Sequence, residues 1–216
     1  MDDNKVIFSG SVKFVKSNRM GSNLWGNLSV RIMMDSKSFQ FKGKDQFISE
    51  PAVWLSIKTT FLENGKLEGL SERVHDKCNE KGYILVTGAK FSDYLKASKD
   101  ANGAVIPDGP KTTVYTLECG PGGVSFAQKP FQEINHTVVE GYVHTILDAS
   151  SFEIKIPYRS KNETKYRKAI VYCDQDDLNQ YKGKKLLLIG KTFGKTPDPS
   201  KKELVYMVCN NPVILQ

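Results

Sequence analysis

One pattern of residues occurs twice in this 216-residue chain, and it constrains the fold more than any other feature. The segment I-F-S-G-S-V at 7–12 matches V-V-E-G-Y-V at 138–143, with the glycine in the same place. Gly88-Ala-Lys-Phe91 parallels Gly190-Lys-Thr-Phe193, and V-Y-T-L at 114–117 parallels V-Y-M-V at 205–208. Because the pairs recur in the same order, the sequence predicts a duplicated unit.

Each copy of the unit is predicted to be a set of short strands. Val53, Leu55 and Ile57 alternate with Trp54, Ser56 and Lys58, which is typical of a half-buried strand. The same reasoning predicts strands at 5–16, 24–34, 52–61, 83–94 and 112–119, and again at 137–147, 152–158, 166–173, 184–193 and 203–209. In the first of these strands Val6, Phe8, Val12 and Phe14 share one parity, so we expect all four on the apolar face.

Helices and turns complete the pattern. Leu67, Leu70, Val74 and Cys78 have helical spacing before Gly82, which predicts a short helix over 67–81. Segment 174–181 has room for at most two helical turns. Segment 35–50 reads as a hairpin or long loop, and 96–111, with Asn102-Gly103 and Asp108-Gly109, as an exposed hairpin loop.

Five short strands with a helix between the third and fourth is the layout of an OB-fold barrel. A glycine inside a strand, such as Gly10, often marks a bulge or bend at a barrel corner. We therefore predict an all-β chain with one or two short helices, built as two tandem five-stranded OB-fold barrels. A linker at 128–135 separates a main domain, 1–128, from a smaller one, 129–216.

Composition excludes several classes of protein. The net charge of +7 and pI of about 9.1 permit a polyanionic partner without requiring one. The four cysteines form no Cys-x-x-Cys pair, so neither a zinc ribbon nor a disulfide scaffold is indicated. No apolar run reaches the length of a membrane span and no signal-peptide core follows the N-terminus. We expect a soluble, cytoplasmic protein that does not bind membranes.

Catalytic and metal-binding patterns are missing from the sequence. His75, His136 and His144 lack the spacing of a metal site, and neither a phosphate-binding Gly-Lys-Ser/Thr loop nor a Gly-x-Ser-x-Gly elbow occurs. The acidic run at 174–177 suits the start of a helical turn. We therefore expect no enzymatic activity, no cofactor and no metal.

The first half contains V-W-L-S-I-K at 53–58, Phe61, G-K-L at 65–67, the predicted helix and K-G-Y-I-L-V-T-G-A-K-F at 81–91. On these motifs, residues from about 5 to 125 resemble the single-stranded DNA-binding protein family of bacteria and phages. The second half is similar to an OB-fold only in general layout. The chain departs from the bacterial pattern in having two fused barrels and in ending C-N-N-P-V-I-L-Q, without an acidic tail and terminal Phe, which favours a phage or divergent version.

The resemblance implies that bases stack on aromatic residues of the sheet face. Trp54 matches the tryptophan of the family's third strand, Phe61 matches the phenylalanine after it, and Trp25 approximates an aromatic of the second strand. A non-specific single-strand binder also needs a cationic track for the backbone. The candidate DNA-binding residues are Trp25, Arg31, Phe39, Phe41, Lys42, Trp54, Lys58, Phe61, Lys90, Phe91, Tyr94, Lys96, Lys155, Arg159, Tyr166, Lys168, Tyr172 and Lys191.

The sequence thus favours a protein that coats single-stranded DNA in replication, recombination or repair, with the first barrel carrying most of the binding energy. Replisome or recombination proteins and a second copy of the chain are further candidate partners. Two alternatives stay open, a tandem-OB scaffold within a replication complex and a single-stranded RNA binder. A nuclease is the least favoured class.

Overall fold

The computed structural model describes residues 4–19, 25–34, 39–40, 47–48, 52–60, 69, 72–74, 76, 80, 82–128, 134–195 and 204–215. Strands dominate these ranges, which confirms the predicted all-β class. The strands are β1 (Asn4–Arg19), β2 (Trp25–Met34), β3 (Phe39–Gln40), β4 (Phe47–Ile48), β5 (Ala52–Thr60), β6 (Tyr83–Ala97), β7 (Lys111–Cys119), β8 (Val124–Ala127), β9 (Asn135–Asp148), β10 (Ser151–Ser160), β11 (Glu163–Tyr172), β12 (Lys185–Lys195), β13 (Leu204–Val208) and β14 (Val213–Ile214).

Five strands of the N-terminal half close into a ring, called the first ring below. β1 pairs with β2 and β2 with β5, both antiparallel, and β5 pairs in parallel with β7. β6 then lies antiparallel between β7 and β1 and closes the ring. Alternate residues such as Leu28, Val30 and Ile32 point inward and are fully buried, because successive side chains of a strand point to opposite faces.

The C-terminal half repeats this pairing order in a second ring. β9 pairs with β10 and β10 with β11, β11 pairs in parallel with β13, and β12 lies antiparallel between β13 and β9. The two rings are continuous, because Asn4–Phe8 of β1 also pairs antiparallel with Asn135–Val139 of β9. The proposed division into domains 1–128 and 129–216 stays a prediction.

The repeated glycine marks the point where the first strand of each ring changes partners. β1 pairs with β6 as far as Ser11 and with β2 from Gly10 onward, and β9 pairs with β12 as far as Tyr142 and with β10 from Tyr142 onward. A Cβ on Gly10 would overlap the carbonyl oxygen of Met33. The glycine is therefore required by the close approach of two strands, as the predicted barrel corner implied.

An asparagine six positions before each of these glycines ties the ring together. The side chain of Asn4 donates to the Phe91 carbonyl oxygen at 3.1 Å and accepts from the Phe91 amide at 3.0 Å. Asn135 makes the same two bonds to Thr192, at 2.8 and 2.9 Å. Both bonds bridge the first and fourth strands of a ring, so the duplication extends beyond the sequence matches to a shared polar contact.

One residue of β1 lies on the opposite face from the one predicted. The register of β1 against β2 shifts between Val12 and Phe14, and such a bulge inserts one residue and reverses the parity that follows. Phe14 is consequently 47% exposed, while Val15 packs against the core in its place. The expectation that Phe14 belongs to the apolar face is wrong.

The remaining elements are short. Within the helix expected at 67–81, residues 72–74 and 76 are α-helical and residues 69 and 80 lie in turns, and Val74 is buried against the core. β3 and β4 form an antiparallel pair within the segment read as a hairpin. Single 3-10 turns occupy Pro121–Gly123 and Leu178–Tyr181, and the sequence did not predict β8 or β14. No helix among the described residues is long and apolar enough to cross a membrane.

Candidate functional site

A groove of about 820 Å³ crosses the outer face of the first ring, and we call it the sheet-face groove. All five strands of the ring contribute to it. Its lining consists of Phe14, Lys16, Asn18, Asn27, Ser29, Trp54, Leu55, Ser56, Ser92, Asp93, Tyr94, Lys96, Val114, Tyr115, Thr116 and Glu118. The lining joins aromatic, neutral polar and charged side chains on a single face.

Trp54 stands in a row of outward residues that crosses three strands. Phe14 of β1 lies opposite Arg31 of β2, and Arg31 lies opposite Trp54 of β5. The rings of Phe14 and Trp54 meet edge to face, with centroids 5.8 Å apart, a favoured geometry for an aromatic pair. Phe14 thereby holds the half-buried Trp54 in place and widens the aromatic surface.

The floor of the groove beside this row is neutral and polar. Asn18 donates to the Ser29 hydroxyl at 2.9 Å, and Asn27 donates to the Ser56 hydroxyl at 2.7 Å. These bonds run between neighbouring strands and tie the polar side chains of the floor to one another. Lys58 is exposed one outward position beyond Ser56 on β5, which puts a cation at the edge of this floor.

Strands β6 and β7 contribute the remaining side chains that line the groove. Tyr94 is 53% exposed there, and Lys96 follows it at the next outward position of β6. The strands lead into the predicted hairpin loop, where Asp100 accepts hydrogen bonds from the amides of Asn102 and Ala104 at 2.9 and 2.8 Å. Phe14, Trp54 and Tyr94 therefore present three aromatic rings to the same groove.

The acidic residues of the groove are held by the second ring. The Glu118 carboxylate forms an ion pair with Arg167, and Asp93 accepts from the Lys168 backbone amide at 2.7 Å. The Tyr115 hydroxyl donates to Glu153 at 2.5 Å. Burial and this hydrogen bond raise the pKa of Tyr115 above its ordinary value. Glu118 and Asp93 of the groove and Glu153 behind it are therefore engaged in contacts between the rings.

Several predicted site residues lie outside the described part of the structure. Phe41, Lys42 and Phe61 are not described, and the side chains of Trp25 on β2 and Phe39 on β3 are not described either. Arg31, Trp54, Lys58, Tyr94 and Lys96 do fall on or beside the sheet-face groove. Lys90 lies further along the same face of β6 as Tyr94, opposite Glu118 of β7.

The structure corrects the prediction that Phe91 contacts DNA. Its side chain is completely buried in the first ring, next to Ala89 on the inward face of β6. A buried ring presents no face to a base, so Phe91 belongs to the core, as does Phe193 at the matching position of the second ring.

Packing within the second ring changes the assignment of two residues of β11. Lys168 forms an ion pair with Glu153 at 3.0 Å, and Glu153 is itself buried beside Tyr115 of the first ring. Tyr172 packs edge to face on Tyr206 at 4.9 Å, and burial raises its pKa. Both are structural contacts of the second ring, not free stacking or backbone-binding groups.

The other second-ring candidates are more accessible. Tyr166 is 52% exposed, Arg159 and Lys191 are exposed, and Lys155 is half-buried. Lys155 lies opposite Tyr142 of β9, whose exposed ring the sequence reading did not select. These residues are spread over β10, β11 and β12 and do not join the sheet-face groove.

Sequence reasoning missed Phe14, Lys16, Asn18, Asn27, Ser29, Ser56 and Tyr115 of the groove. The alternation in β2 and β5 already placed Asn27, Ser29 and Ser56 on the outward face, so a count of outward residues would have found them. No local signal gave Phe14 or Tyr115, because a bulge and the second ring determine their surroundings. Within the described ranges, no group of three His, Cys, Asp or Glu residues could hold a metal ion.

Comparison with known proteins gives a result at the level of structure alone. No protein-family model and no curated protein sequence matches the chain. The fold is similar to that of the single-stranded DNA-binding protein from Thermus aquaticus. The wild-type structure of that protein matches with a TM-score of 0.56 and 12% identity, covering 99% of this chain and 93% of that one. A deletion mutant of it matches with a TM-score of 0.57 and 11% identity, covering 99% and 94%.

Proposed function

We propose that this protein binds single-stranded DNA without sequence specificity and coats it during replication, recombination or repair. In this proposal the protein is not an enzyme and needs no cofactor. The observation that carries the proposal is the sheet-face groove, which Trp54, Phe14 and Tyr94 line together with polar side chains of β1, β2 and β5. The groove lies over β2 and β5, the second and third strands of the ring, which form the usual oligonucleotide-binding face of an OB-fold.

The chemistry of the groove suits bases better than a protein side chain. Each base has a flat π-face, and stacking on an aromatic residue is worth about 1–3 kcal/mol per base without reading its identity. Asn18 and Asn27 each donate to a serine hydroxyl of the neighbouring strand, so one N–H of each amide is already engaged within the floor. Lys58 and Lys96 supply positive charge at the margins, where a strand's phosphates would lie.

Titration of the intrinsic tryptophan fluorescence with oligo-dT tests the proposal directly. We expect strong quenching, affinity that rises with oligonucleotide length, and a steep loss of affinity with added salt as counterions are released. Parallel titrations with duplex DNA and oligo-rU show whether the protein binds single-stranded DNA more tightly than duplex DNA or RNA. Binding of oligo-dT no tighter than that of duplex at moderate salt would contradict the proposal and favour a protein-interaction scaffold, while preferred binding of oligo-rU would assign the groove to RNA.

A further inference from the structure

We propose that a second groove, at the junction of the two rings, binds the phosphates of the same strand where it leaves the sheet-face groove. This inference rests on the proposed function and extends it to a surface between the rings. The junction groove has a volume of about 750 Å³. Asn4 and Lys90 of the first ring line one side, and Tyr158, Arg159, Thr164 and Arg167 of the β10–β11 hairpin line the other.

The charged residues that line the junction groove are all positive. Lys90, Arg159 and Arg167 contribute three positive charges, and no acidic residue occurs among the described residues that line it. Glu118 reaches its edge through the ion pair with Arg167 and offsets part of this charge. A polyanion is therefore the ligand that this lining favours, and Thr164 adds a hydroxyl donor for a phosphate oxygen.

Arg167 is held in position for such a role. Its guanidinium lies over the ring of Tyr158 at 4.7 Å while it pairs with Glu118 of the first ring. Two contacts on one side chain reduce the rotamer entropy that binding a phosphate would otherwise cost. Because one contact comes from each ring, the groove has this shape only while the rings are docked.

The junction groove continues the sheet-face groove along one strand face. Glu118 lines the sheet-face groove and Arg167 lines the junction groove, so their ion pair forms the boundary between the two. Lys90 and Tyr94 lie on the same face of β6, about 13 Å apart at roughly 3.3 Å per residue. A strand whose base contacts Tyr94 could therefore place a phosphate near Lys90 within a few nucleotides.

This continuity favours nucleic acid over an acidic protein segment as the occupant. An acidic peptide would use the charges of the junction groove but would gain nothing from the aromatic walls next to it. A single strand uses both, with its bases in the sheet-face groove and its backbone at the junction.

The test compares the full-length protein with the Lys90→Gln/Arg159→Gln double variant, using oligo-dT of about 6 and about 20 nucleotides, within and beyond the usual span of one OB-fold. Arg167 is left intact because it also joins the rings. For the longer oligonucleotide we expect the slope of log K against log[salt] to become shallower by about 1.4, at roughly 0.7 per phosphate contact. The affinity ratio between wild type and variant should grow with oligonucleotide length. Lys182→Gln, which removes an exposed cation outside both grooves, should leave the slope unchanged.

Two results would overturn the inference while leaving the proposed function intact. One is wild-type quenching by oligo-dT together with the same salt slope and length dependence in the double variant. The other is binding of a poly-aspartate peptide that the double substitution abolishes without changing oligo-dT binding, which would assign the junction groove to an acidic protein. Failure of the wild type to bind oligo-dT at all would instead contradict the proposed function. Circular dichroism of the double variant confirms that it is folded.

Discussion

At the scale of single residues, the surroundings of Trp54 matter as much as its identity. A tryptophan on the outer face of a strand is a candidate for stacking only if its ring is both accessible and held. Phe14 meets it edge to face at 5.8 Å, and Arg31 lies between the two in the register of the strands. The ring is therefore oriented before any ligand arrives, which lowers the entropy cost of binding.

Replacing Trp54 with alanine should weaken oligo-dT binding by about 1–3 kcal/mol, or roughly 5- to 150-fold in Kd. Fluorescence anisotropy of a labelled oligonucleotide measures the change without relying on the lost tryptophan. Leu95→Ala is the matched control, because Leu95 is 64% exposed on β6 but does not line the groove. Equal losses in both variants would show that Trp54 does not stack on a base.

At the scale of elements, the first strand of each ring bends and serves two neighbours. β1 pairs with β6 as far as Ser11 and with β2 from Gly10 onward, and Asn4 anchors its beginning to Phe91 in the middle of β6. The bulge after Val12 then turns Phe14 outward into the groove. Closure of the ring and placement of an aromatic residue of the site thus depend on the path of one strand.

Gly10→Ala should destabilise the fold by about 1–3 kcal/mol or more, as overpacking does in a well-packed core. The added Cβ would overlap the Met33 carbonyl oxygen, which is backbone and cannot move aside alone. Urea denaturation followed by circular dichroism measures the loss. Gly120→Ala is the control, because Gly120 has an extended φ of −78° and open space around its Cβ position. A Gly10→Ala variant as stable as the control would contradict the tight crossing.

At the scale of the whole molecule, polar bridges orient the rings relative to each other. The Glu153 carboxylate accepts from Tyr115 of the first ring at 2.5 Å and pairs with Lys168 of its own ring at 3.0 Å. Arg167 and the Lys168 amide add contacts to Glu118 and Asp93. These bridges engage the carboxylates of the sheet-face groove and shape the junction groove, so the site depends on both rings.

Tyr115→Phe should lower the free energy of unfolding at neutral pH by about 1.5–3 kcal/mol, the worth of a hydrogen bond to a charged group. Burial, and then the bond to Glu153, raises the Tyr115 pKa above its ordinary value of 10.0. Its stabilising contribution is therefore complete below about pH 10 and is lost as pH rises further, because the unfolded state then releases the proton first. Between pH 7 and pH 11, the urea midpoint of Tyr115→Phe should fall less steeply than that of the wild type.

Tyr206→Phe is the control variant for Tyr115→Phe. The Tyr206 hydroxyl is buried without a hydrogen-bond partner among the described residues, so its removal should leave stability at pH 7 unchanged or slightly raised. Equal destabilisation of the two variants would show that the bond to Glu153 contributes nothing.

Much of this fold could be predicted from the sequence because its signals are local. Alternation placed Val53, Leu55 and Ile57 inside and Trp54, Ser56 and Lys58 outside, and all six lie on those faces. The repeated glycines and aliphatic runs predicted where the strands of both halves lie along the chain, since periodicity and turn chemistry depend only on neighbouring residues. Trp54 and Tyr94 could be selected in the same way.

Only the tertiary structure decided which of the candidate side chains form a site. A bulge in β1 turned Phe14 to the outer face, and closure of the first ring put Phe91 into the core. Packing within the second ring engaged Lys168, and docking of that ring brought Tyr115 against Glu153. Each of these outcomes depends on contacts between residues far apart in sequence, and no local pattern carries that information. The sequence alone determined a repeated, strand-rich chain with an aromatic residue on an outward face, and the pairing of its strands and rings made that face a groove.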